Sequence, residues 1–138
     1  MMRPRTALLL YHYAAGLCDT TTGVLLLFAP ALTLHLMGVS RAPQPMFYAS
    51  YVGVFVLCVG ASYLIVPGSG LARKVQGTCW RTQWLITALF RTVIAIFVTA
   101  QVAIGVMEPA WLAVALTDAS FAAIQWIGLR RNWIALAE

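Results

Sequence analysis

"GLCDTTTGVLLLFAP", residues 16–30, sets an aspartate, Asp19, inside an apolar run of the kind that crosses a lipid bilayer. On insertion scales an acidic residue at the centre of such a helix costs roughly 2.5–3.5 kcal/mol. If this stretch is a membrane span, the rest of the chain has to supply Asp19 with a partner.

The surrounding composition fits a span. Of 138 residues, 62% are hydrophobic and only 9% charged, too little charge to solvate the outside of a soluble domain of this size. Four runs approach the roughly 20 apolar residues that a crossing needs. They cover about 7–29, 46–66, 82–106 and 109–129. Pro30 ends the first run, the breaker "PGSG" at 67–70 ends the second, and Pro109 opens the fourth as a favoured first-turn residue. The expectation is an all-α integral membrane protein, one four-transmembrane-helix bundle over 1–138. Between the first two runs, "ALTLHLMG" at 31–38 reads as a short interfacial segment.

The net charge of +5 is distributed as a membrane protein distributes it. Seven basic residues, Arg3, Arg5, Arg73, Lys74, Arg81, Arg130 and Arg131, fall on one side of the four runs, against Arg41 alone on the other. The positive-inside rule then puts both termini in the cytoplasm. Nucleic acid is not an expected partner, because its footprint would gather these charges on one stripe. Arg73 and Lys74 lack phosphate-loop spacing and read as a hinge touching anionic lipid. Tyr11, Tyr13, Tyr63, Trp80, Trp84 and Trp126 would form an inner aromatic belt, and Phe47, Tyr48, Tyr51 and Trp111 an outer one. The first run continues well past Cys18, longer than the apolar core of a signal peptide, so it reads as a retained span. Cys18, Cys58 and Cys79 have no metal-type spacing.

Two further charges interrupt the runs: Arg91 in "ALFRTVIAI" and Asp118 in "VALTDASFA". At about 1.5 Å per residue, Asp19, Arg91 and Asp118 lie about 18, 14 and 17 Å from the inner ends of their spans. They share a level near the bilayer middle. An opposite-charge contact at 4 Å is worth about 4 kcal/mol at an effective dielectric near 20. The expected arrangement is one buried cluster of Asp19, Arg91 and Asp118, with Thr20, Thr22, Thr92, Thr117, Ser120, Gln101 and Gln125 as candidate hydrogen-bonding neighbours. The cluster serves either as a tie between helices or as a proton or ligand site; with no second relay residue evident, the tie is the stronger reading.

Gly16 and Gly23 repeat at seven residues, as do Gly53 and Gly60, and mark faces for close helix packing. His12 and His35 lie at least about 30 Å apart along a mostly helical path, so they cannot jointly ligate one haem. Each alone is a candidate axial ligand to a pigment or haem brought by a neighbour. No catalytic residue, metal site or cofactor of the chain's own is expected; chlorophyll, haem, quinone or lipid held by a partner remain possible contacts.

The run "FAPALTLHLMG", the glycine-rich "YVGVFVLCVG", the arginine of "LFRTV" and the aspartate of "LTDAS" together resemble the small four-helix bacterial membrane proteins described as DoxX-like. That resemblance implies a bundle in the bacterial inner membrane and, in some relatives, a subunit of a membrane oxidoreductase. The functional expectation is a small accessory or structural subunit of a larger energy-transducing complex, respiratory or photosynthetic, whose partners are other integral membrane subunits and lipids. The alternative is a stand-alone membrane acid–base enzyme or proton-coupled transporter built on the cluster. A redox pair of Cys18 and Cys58 ranks last.

Overall fold

The computed structural model describes the backbone of residues 4–68 and 72–136 and the side chains of 5–65 and 79–135. Every regular element among them is helical: α1 (Pro4–Phe28), α2 (Pro30–Leu36), α3 (Phe47–Gly68), α4 (Ala72–Ala103), α5 (Leu112–Arg130) and α6 (Trp133–Leu136), with a 3-10 turn over Pro109–Trp111 ahead of α5. Three stretches among the described residues are long and apolar enough to cross a membrane: Phe47–Ile65, Cys79–Ala103 and Pro109–Arg130. The 25 residues of α1 match them in length, but His12, Asp19 and the run Thr20, Thr21, Thr22 dilute its apolar character.

The boundaries depart from the sequence expectation in two places. Helix α3 runs through Pro67 to Gly68 rather than stopping at the breaker. Helix α4 begins at Ala72, ten residues before the apolar run does. Arg73 and Lys74 therefore stand in its first turns and not in a hinge. Polar residues end a membrane-type run without ending a helix, because Arg, Lys and Gln are good helix formers. The expected lipid contact of these two side chains, and the part of the charge asymmetry that rests on Arg3, Arg73 and Lys74, lie outside the described residues.

Two antiparallel pairs make the bundle, α1 with α3 and α4 with α5. Glycine sets the first. A Cβ on Gly23 would strike the backbone of Leu57, and one on Gly60 the backbone of Thr20. On Gly53 it would lie 2.8 Å from the Leu27 nitrogen, and on Gly16 2.6 Å from Leu64 Cδ2. The helices touch main chain to main chain, where dispersion is strongest. Buried alanines serve the second pair, Ala88 and Ala95 on α4 and Ala115 and Ala122 on α5. Gly128 lies against the Trp84 ring.

Both ends of the bundle are closed by apolar plugs. At one end Leu8, Trp80, Trp84 and Ile134 pack together, with α6 brought underneath. Asn132, at φ 53°, turns the chain there. At the other end Leu34 of α2 joins Val39 and Ala49, backed by Met37, Met46 and Trp111. The Glu108 carboxylate fastens that plug by accepting the Ser40 and Arg41 backbone N–H groups at 2.7 and 2.8 Å. The 31–38 segment is thus α2, and Gly38, at φ +78°, turns the chain out of it as few other residues can.

Candidate functional site

Between the two plugs the four long helices converge on Arg91. Its Nη1 donates to Asp118 Oδ1 at 2.6 Å, and its Nη2 donates to Asp19 Oδ2. One guanidinium thereby joins α1, α4 and α5. The planar fork of arginine holds two acceptors in fixed directions, which lysine cannot do. The Phe121 ring centroid lies 4.8 Å from Arg91 Cζ, and the Tyr63 ring lies at 5.8 Å. Aromatic faces so placed attract a desolvated cation.

A second polar layer lies one turn below, and the sequence reading missed it. Gln125 Nε2 donates to Tyr63 Oη at 2.6 Å and to Thr87 Oγ1 at 2.7 Å. Tyr63 Oη donates to Thr87 Oγ1 at 2.7 Å, and that hydroxyl donates onward to the Gln83 carbonyl, also at 2.7 Å. These three residues come from α3, α4 and α5, and all are buried. Gln83 Nε2 donates in turn to Ser62 Oγ at 3.1 Å.

A third layer holds His12. Its ring is fully buried, between Trp80 at 4.9 Å and Trp84 at 6.0 Å, centroid to centroid. Nδ1 donates to the Leu8 carbonyl at 2.9 Å, while Nε2 has no hydrogen-bond partner among the described residues. Gln83 is its polar side-chain neighbour. Tyr11 closes the layer, its hydroxyl donating to the Phe121 carbonyl at 3.3 Å. Above the triad, by contrast, the buried side chains are Leu26, Ala95, Val98, Ala115 and those of the far plug, where Thr33 donates to the Ala29 carbonyl at 2.8 Å. Among the described residues, the buried polar side chains that bond from one long helix to another lie at the triad and on its His12 side.

Several expectations change against this geometry. Tyr63, Trp80 and Trp84 are core residues and not members of an interfacial belt. The proposed hydrogen-bonding neighbours do not serve the triad. Thr92, Thr117 and Ser120 donate to carbonyls one turn back in their own helices, the usual outcome for a hydroxyl within a helix. Gln125 works one layer lower, and Thr20 Oγ1 has no partner. His12 is enclosed by its own chain, so a neighbour's pigment would have to displace Trp80 or Trp84 to reach Nε2. His35 stands exposed on α2. Cys18, Cys58 and Cys79 are free thiols, and no group of three or more metal-ligating side chains occurs among the described residues.

No protein-family model matches the chain, and neither a curated protein nor a solved structure does. The fold and the site define a helical, membrane-type protein with a buried Asp19–Arg91–Asp118 salt-bridge cluster.

Proposed function

We propose that the chain is a small, non-enzymatic subunit of a larger energy-transducing membrane complex, respiratory or photosynthetic, in which it packs against other integral membrane subunits. One observation carries this reading: the central cation is committed to holding helices together. Both terminal nitrogens of Arg91 are committed to carboxylates on other helices, as a tie between helices requires. The outside of the bundle meanwhile presents large apolar side chains in every direction, among them Leu17, Phe28, Phe47, Phe55, Phe90, Phe97 and Leu116. In this reading α1 is a fourth crossing, both termini face the cytoplasm, and the membrane is a bacterial inner membrane. The basic residues at one end of the spans and the DoxX-like resemblance support that arrangement. A partner's pigment, haem, quinone or lipid would meet the apolar faces or His35, not His12.

Affinity purification of the tagged chain from its own membranes in mild detergent tests the proposal. Other membrane proteins should accompany it in a fixed ratio through a second, orthogonal separation. Recovery of the chain alone would overturn it.

The one-sided polar column favours a second reading, a proton-coupled role in which protons reach the triad from the His12 end. Reconstituted protein should then take up protons on a pH jump at that face, and Gln125→Leu should abolish the uptake. Equal uptake by Gln125→Leu would dismiss that reading.

A further inference from the structure

The triad carries two carboxylates and one guanidinium, so it is one positive charge short when all three ionise. Each carboxylate uses a single oxygen on Arg91, Asp19 through Oδ2 and Asp118 through Oδ1. Among the described residues nothing donates to the remaining oxygens, Asp19 Oδ1 and Asp118 Oδ2, and neither is among the buried unpartnered atoms. The two aspartate side chains are 12% and 14% exposed, against 5% for Arg91. The open side of the cluster is therefore its acidic side. Its two carboxylates come from α1 and α5, helices whose backbones scarcely approach each other. Cys18, an exposed free thiol, is the residue next to Asp19 on α1.

Little within the chain can cover it. Every other lysine or arginine is at least ten residues from any triad member along the sequence, about 15 Å of helix. Arg41 is engaged with Glu108, and Arg81 with Asn132. A second copy of the chain would bring the same deficit. A lipid amine sits at the interface, about 15 Å from the middle of a hydrocarbon core about 30 Å thick. Carboxylate oxygens open to hydrocarbon at that depth are costly, and intramembrane charges pair wherever they can.

We infer that the α1–α5 seam is the docking face for a transmembrane helix of a partner protein, which inserts a lysine or arginine against Asp19 Oδ1 and Asp118 Oδ2. This rests on the subunit reading above and specifies the partner's chemistry. The added cation neutralises the cluster, and it does so only in one register of the partner helix, which makes the contact selective as well as attractive.

Photo-crosslinking in native membranes tests it. In the Cys58→Ala/Cys79→Ala background, Cys18 is labelled with a benzophenone maleimide and irradiated. The expected adduct is to a peptide whose apolar span contains Lys or Arg. Asp118→Asn, which leaves the neutral Asp19–Arg91 pair, should lower its yield about tenfold or more. If that variant fails to accumulate, Asp19→Asn takes its place and should do the same. An adduct to lipid alone, to another copy of this chain or to a span without a basic residue would overturn the inference. So would a yield unchanged by the neutralising variant, which would mean that a proton balances the charge. Companions that still co-purify with the neutralised variant at full yield leave the subunit reading standing while this one falls; a chain that purifies alone removes both.

Discussion

At the scale of single residues, Arg91 is the group on which most depends. Removing one partner of a buried ion pair strands the other's charge, at a cost of about 3–5 kcal/mol. Arg91→Met should accordingly lower the unfolding free energy in detergent by that much, and Arg91→Lys by a smaller amount, since one ammonium cannot reproduce the fork. The triple variant Asp19→Asn/Arg91→Met/Asp118→Asn, which strands no charge, should recover most of the loss. A triple variant no more stable than Arg91→Met would mean that the triad does more than tie helices. In the layer below, Tyr63→Phe removes the acceptor of one Gln125 N–H and the donor to Thr87. The expected cost is about 1–3 kcal/mol, read from the same unfolding curves.

At the scale of elements, the α1–α3 contact depends on the absence of Cβ atoms. Gly23 and Gly60 face backbone, which cannot move aside as a side chain can. Gly23→Ala and Gly60→Ala should each destabilise by about 1–3 kcal/mol, while Ala14→Leu, at an exposed position of α1, should stay within about 0.5 kcal/mol of the parent. Equal effects at the three positions would contradict the close approach. The glycines were legible in the sequence because a seven-residue repeat keeps small residues on one helix face. The triad was legible for a similar reason, since each member is a lone charge in an apolar run at a matching depth. The Tyr63–Thr87–Gln125 layer was not. Helix α3 is apolar on all sides around "YVGVFVLCVG", so nothing in its pattern says which way Tyr63 turns. That rotation is fixed by where Gly53 and Gly60 meet α1. Trp84 was misplaced on the same ground: depth along a helix follows from counting residues, but facing follows from the partner helix. The start of α4 escaped because hydropathy marks where lipid contact ends and not where hydrogen-bonded turns end.

At the scale of the whole molecule, the arrangement is a pair of tightly packed helix hairpins with long polar and aromatic side chains filling the space between them. Its two ends are plugged, Arg91 ties two carboxylates at its centre, and its outer surface is apolar. Such a surface is complete in lipid and equally suited to neighbours, and the unbalanced acidic side of the triad favours neighbours. The mass of the native particle, extracted gently from the source membranes, decides the matter most directly. A particle many times the 15.0 kDa of this chain, with the same companions in every preparation, is the expected result. A particle made of this chain alone, in one to three copies, would contradict the account.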